Sequence, residues 1–83
     1  MKIIKISAIW CPACIITNNA LNKLKNDYNF ELEELDYDFD DIEEYHIGEV
    51  LPIVIFIKDG NEVDRLNGEK NYKQIEEVIK KYE

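Results

Sequence analysis

The segment Trp10-Cys11-Pro12-Ala13-Cys14 holds both cysteines of the chain, at the point where an isoleucine-rich run gives way to a helical pattern. A Cys-x-x-Cys between a strand and a helix reads as a dithiol redox site. Proline is favoured at the first position of a helix, where its missing N–H would be unpaired in any case. That places Cys11 at the N-cap, with its sulfur near the free amides of the first turn, where a thiolate is stabilised. Cys14 lies one turn inside, placed to attack a mixed disulfide formed on Cys11, and the two-residue gap closes a small Cys11–Cys14 disulfide ring. Cys11 is therefore read as the attacking thiol and Cys14 as the resolving one. Two other uses of the pair stay open: burial as small hydrophobes without chemistry, and metal binding. Zinc takes four ligands, and this chain offers two cysteines and His46, so a closed site would need a second subunit. No resident metal is expected.

Outward from the motif, residues 2 to 9 read as a strand. Ile3 falls on one parity and Ile4 and Ile6 on the other, the mark of burial on both faces. From Ala13 to about Asp27, the residues Ile16, Ala20, Leu21, Leu24 and Tyr28 recur at helical spacing, with Asn18, Asn19, Asn22 and Lys23 opposite. Phe30 to Tyr37 reads as a strand that changes its buried face or is partly buried on both. Asp40 followed by Glu43 is a capping-box pattern and predicts a short helix over residues 41 to 46. Ile53-Val54-Ile55-Phe56-Ile57 is the most apolar run, Asp59-Gly60 a hairpin turn, and Asn61 to Leu66 the returning strand. Asn71 with Gln74 caps a last helix whose Tyr72, Ile75, Val78, Ile79 and Tyr82 share one face. The expected order is strand, helix, strand, short helix, strand, strand, helix. This is one α/β domain over residues 1–83, a four-stranded mixed sheet with helices on both faces.

Composition bounds the function. Eighty-three residues make one domain with a small core, and ten basic against eighteen acidic residues give a net charge of −8. Such a chain repels phosphate backbones and anionic membrane surfaces, so neither nucleic acid nor membrane is an expected partner. The first residues form too short an apolar run for a leader, a lysine interrupts it, and nothing approaches the roughly 20 apolar residues of a bilayer span. The expected compartment is the cytoplasm, where a close cysteine pair favours catalysis or metal binding over stapling.

The pattern resembles the thioredoxin family over nearly the whole chain. Trp-Cys-x-x-Cys after an apolar strand is that family's active-site motif. Pro52 in Val50-Leu51-Pro52-Ile53 stands where the family carries a cis proline facing the dithiol, and Lys58-Asp59-Gly60 with the later Gly68 matches its hairpin turn and substrate-side glycine. The resemblance implies a minimal thioredoxin-like fold and a protein-disulfide reductase acting on disulfide-containing protein substrates. It further implies no bound cofactor, electrons from a thioredoxin-reductase-type partner or small thiols, and a monomer. It assigns Trp10, Pro12, Ala13, Leu51, Pro52 and Gly68 to the substrate surface.

There are departures from the family pattern. The chain has no room for the extra leading strand and helix of longer thioredoxins. The proline position in Cys11-Pro12-Ala13-Cys14 is closer to glutaredoxins, yet the Gly-Gly motif that supports glutathione is replaced by Asn67-Gly68-Glu69. Lys5 stands where the family places a buried acid, six positions before Cys11, and Glu34 aligns with the family's partner lysine. An exchanged Lys5–Glu34 pair serving proton transfer and a lysine that merely snorkels to the surface are both open. So are two alternative functions: a glutaredoxin-like, glutathione-linked oxidoreductase, and a non-catalytic binding module. The uncharged Pro12-Ala13 pair leads us to expect a reduction potential toward the reducing end.

Overall fold

The computed structural model describes residues 1–83. Strand β1 (Lys2–Ser7) leads through a short turn into helix α1 (Pro12–Asp27) and strand β2 (Glu31–Asp36). A long crossover with one 3-10 turn at Glu43–Tyr45 follows, then β3 (Ile53–Lys58), β4 (Asn61–Asn67) and helix α2 (Tyr72–Tyr82). The strands lie in the order β2-β1-β3-β4, with β1 parallel to β2 and antiparallel to β3, and β4 antiparallel to β3. This is the expected mixed sheet.

The central strands are buried on both faces because β1 and β3 are isoleucine-rich without alternation. On one face Ile3, Val54 and Phe56 pack against Ala20, Leu21 and Leu24 of α1 and Ile75 and Ile79 of α2. On the other, Ile4, Ile6, Ile53 and Ile55 form a second cluster, with Ile42, Tyr45 and Ile47 of the crossover packed onto it. Both long helices therefore share one face, not the two faces expected, and because the short helix did not form the second face has only a 3-10 turn over it. Arg65 helps hold that cover down. Its Nη1 donates to the Tyr45 carbonyl at 2.7 Å, while Nε and Nη2 grip Glu62 at 2.8 and 2.7 Å. The guanidinium holds the Glu62 carboxyl below the usual carboxylate range.

The short helix over residues 41 to 46 shrinks to that 3-10 turn, and the Asp40–Glu43 capping box does not form. Asp40 Oδ2 instead accepts from the Asp36 amide at 2.7 Å, and the Glu43 amide turns to Asp41 Oδ1 at 3.2 Å. The Asp36 carboxylate in turn accepts from the Asp38 and Phe39 amides, a local turn that outcompetes the helix start. The first strand also stops short of residue 9, ending at Ser7, which leaves Ile9 and Trp10 in the turn. The hairpin turn and the cap of the last helix formed as read. Asp59 and Gly60 both take positive φ (55° and 81°), as a two-residue type I′ hairpin requires. Asn71 and Gln74 complete a reciprocal capping box, at 2.9 Å each way.

Two tyrosines latch the helices together. Tyr28 Oη donates to Glu76 Oε2 at 2.7 Å and Tyr72 Oη to Asp27 Oδ2 at 2.5 Å. The carboxylate acceptors push both phenols from 10.0 up to about 12. A group whose folded value is raised stabilises fully below its unfolded value and loses that contribution as pH climbs through the folded one. Thermal melts should therefore hold up to about pH 10 from this source and fall between 10 and 12, and Tyr28→Phe/Tyr72→Phe should flatten that fall. An unchanged alkaline slope in the double variant would rule the latch out.

Candidate active site

The dithiol sits where β1 hands over to α1. Cys11 is the N-cap residue in extended conformation (φ −98°, ψ 101°) with Pro12 directly after it, as the sequence implied. Its amide donates to the Ala8 carbonyl at 3.2 Å, and the Cys14 amide donates to the Cys11 carbonyl at 3.2 Å, so the motif is held as a tight turn entering the helix. Cys11 and Cys14 form a disulfide with Cα atoms 5.4 Å apart. Cys11 is 7% exposed and Cys14 2%, so Cys11 is the more accessible of the two. No acidic side chain occupies the first turn of α1, so nothing there opposes a thiolate at the cap. No group of three or more His, Cys, Asp or Glu side chains is gathered to hold a metal, and His46 is exposed at the end of the 3-10 turn.

Leu51 joins Cys11, Cys14 and Ala8 in one cluster, and the Leu51–Pro52 bond is cis, with Pro52 buried. The Gly68 amide donates to the Pro52 carbonyl at 2.8 Å. Gly68 needs its positive φ of 87°, and a Cβ there would touch Val50 Cγ1 at 3.6 Å. Pro12 is exposed and Ala13 half-buried on the first turn of α1. Trp10 is 61% exposed, so it is surface and not core. Its Nε1 donates to Asp38 Oδ2 at 2.7 Å, and its ring meets Tyr37 edge-on at 6.2 Å.

Lys5 and Glu34 stand directly opposite each other in the β1–β2 register, and Lys5 Nζ donates to Glu34 Oε1 at 2.9 Å. The lysine side chain is 6% exposed and the glutamate 59%. The ammonium is thus buried and is met by a carboxylate that itself reaches water. The pair forms, and because the lysine side chain stays buried, Lys5 does not snorkel to the surface.

Thr17 was missed by the sequence reading. It is fully buried, and its hydroxyl both accepts from the Lys70 amide at 3.0 Å and donates to the Lys70 carbonyl at 3.3 Å, tying α1 to the turn after Gly68. Ile16, placed by periodicity on the buried face, is instead 47% exposed. A buried hydroxyl with two backbone partners is indistinguishable in sequence from a solvated one. The signal that could have found it is its place one turn after Cys14, on the same face as Ala20, Leu21 and Leu24.

The thioredoxin family model matches residues 1–81, and the chain belongs to the thioredoxin family. It is a thioredoxin domain with a Cys-x-x-Cys disulfide. No curated protein matches it. Among solved structures it is similar to the thioredoxin of Fasciola hepatica (28% identity, TM-score 0.83, covering 99% of this chain and 80% of that one). It is also similar to the reduced thioredoxin pre-protein of Schistosoma mansoni (27% identity, TM-score 0.84, 99% and 78%). A mutant thioredoxin from Halobacterium salinarum shares the fold with a TM-score of 0.90 at 18% identity, over 98% of this chain and 73% of that one.

Proposed function

We propose that this protein is a thiol–disulfide oxidoreductase that reduces protein disulfides through a Cys11/Cys14 cycle. The observation that carries the reading is the placement of Cys11 at the N-cap of α1, in a disulfide with the more deeply buried Cys14. The Cys11 thiolate attacks one sulfur of the substrate disulfide, and the other sulfur leaves as a thiol. Cys14 then attacks the Cys11 sulfur, frees the second substrate thiol and closes the Cys11–Cys14 disulfide. Two electrons pass to the substrate, and the protons of the two cysteine thiols end, through solvent, on its two sulfurs. A reductase or a small dithiol restores the pair, and no bound cofactor takes part. Trp10, Pro12, Ala13, Leu51, Pro52 and Gly68 frame the substrate segment, and the cytoplasm is the compartment suited to a reductant.

Insulin-disulfide reduction driven by dithiothreitol tests the activity: catalysis above the dithiothreitol background supports it, and none leaves a docking module. Single-cysteine variants separate a glutathione-linked enzyme, which would lose mixed-disulfide reduction in Cys11→Ser but keep it in Cys14→Ser.

The ion pair of Lys5 and Glu34 is proposed to manage the proton of Cys14. It takes the place of the family's buried acid, with the charges exchanged between strands. Glu34→Gln should move the pH profile of dithiol reactivity and also lower stability by more than loss of a surface pair would, because it leaves the buried Lys5 ammonium without its anion. An unmoved profile would reduce the Lys5–Glu34 pair to a structural contact.

A further inference from the structure

The six large apolar side chains that stay well exposed are Ile9, Trp10, Ile15, Ile16, Phe39 and Val50. All six lie on segments that meet at the dithiol. Ile9 and Trp10 precede Cys11, and Ile15 and Ile16 follow Cys14. Val50 precedes Leu51 and adjoins Gly68. Phe39 is carried by the turn that Asp38 fastens to Trp10. Ile9 is 87% and Phe39 80% exposed, and large apolar side chains left exposed on segments around one site mark interaction surfaces.

The charge around this crown is one-sided. Residues 36–49 contain Asp36, Asp38, Asp40, Asp41, Glu43, Glu44 and Glu49 and no lysine or arginine. None of the three ion pairs of the protein involves any of them. This segment joins the end of β1 through the Tyr37 amide, which donates to the Ser7 carbonyl at 2.8 Å, so its first carboxylates border Ile9 and Trp10. The α1 wall, from Pro12 to Asn22, has no charged side chain. On the Gly68 side Glu69 is offset by Lys70. The negative field therefore lies on the Trp10 flank.

We infer that this crown docks a basic protein segment, an extended stretch whose disulfide is flanked by apolar residues and whose lysines or arginines lie over the 36–41 turn. The inference rests on the oxidoreductase reading and names its substrate class. Apolar contact supplies the seat, and the unpaired carboxylates select and steer the partner's charge.

The test uses three synthetic peptides with one intramolecular disulfide between identical leucine and phenylalanine flanks, differing only in outer residues that are all Lys, all Gln or all Glu. Each is mixed with the reduced full chain in a single turnover, quenched in acid and resolved by chromatography. At ~20 mM salt the Lys peptide should be reduced at least about tenfold faster than the Glu peptide with Gln between, and at ~0.5 M salt the spread should fall below about twofold. Asp38→Asn/Asp40→Asn should compress the low-salt Lys-to-Glu ratio to about threefold. Glu77→Gln/Glu83→Gln, which removes the same net charge from the α2 end, should leave it unchanged.

Equal rates for the three peptides, a spread that survives high salt, or equal compression by the α2 variant would each overturn the docking assignment while leaving the oxidoreductase reading intact. Reduction of neither these peptides nor the small neutral bis(2-hydroxyethyl) disulfide would overturn that reading and the assignment with it.

Discussion

Cys14→Ser, reduced and mixed with a disulfide substrate, is expected to accumulate a covalent adduct on Cys11, while Cys11→Ser forms none. The expectation follows from position. Cys11 is the cap residue, the more accessible sulfur, and lies against the exposed Pro12 and Trp10. Cys14 is almost fully buried within α1 and has only Cys11 as a near disulfide partner. Removing Cys11 should lower the rate of exchange by on the order of a thousandfold or more, because a serine hydroxyl does not ionise near neutral pH and cannot replace the thiolate. Removing Cys14 should leave the first attack within a few-fold of the parent rate and stop turnover, since nothing remains to resolve the adduct. Intact-mass spectrometry reads both variants in one experiment. An adduct on Cys14 in the Cys11→Ser chain would reverse the assigned roles.

The second large effect is on stability. Phe56 is fully buried in the centre of β3, in the one cluster that joins the sheet to both α1 and α2. Phe56→Ala should cost about 3–5 kcal/mol, the transfer term plus the cavity that a rigid sheet cannot close. A domain of this length has a small core, and stabilities start at about 5 kcal/mol. The variant should therefore sit near or below its unfolding midpoint at moderate temperature, read as the loss of most of the urea midpoint with little change in slope. A loss under about 1 kcal/mol would mean that the helix-side cluster is not what holds the sheet together.

Much of this was written locally in the chain. Proline after the first cysteine, an Asp-Gly pair between apolar runs, and an Asn with a Gln three residues later each dictate one short piece of backbone. Each piece formed. The Asp40–Glu43 pair has the same appearance as Asn71–Gln74, yet it gave no capping box, because Asp36, four residues back, offered Asp40 a competing amide. Periodicity failed in the first turns of α1 for a different reason. It counts apolar residues as inward, and here Ile15 and Ile16 face solvent around the dithiol while Thr17 goes in, its hydroxyl satisfied by a backbone 53 residues away in sequence. The Lys5–Glu34 contact needed the parallel register of β1 and β2, which spacing suggested and only the sheet could fix. That both long helices pack on one face, leaving the other to the crossover, depends on the return path of the chain and leaves no local trace.

The central claim is that the Cys11/Cys14 couple works as a reductant, and its reduction potential tests this most directly. The linking residues Pro12 and Ala13 carry no charge, the carboxylates on the Trp10 flank make no ion pair, and the one buried cation is already paired with Glu34. Apart from the helix cap, which stabilises the Cys11 thiolate, nothing in that setting strongly favours the reduced form, and strong stabilisation of the reduced form is what makes a dithiol oxidising. Equilibration against a glutathione or dithiothreitol couple should give a value of about −230 mV or lower, in the range of thioredoxins and glutaredoxins. A value near about −120 mV, that of a strong oxidant, would contradict the account and make the protein a donor of disulfides.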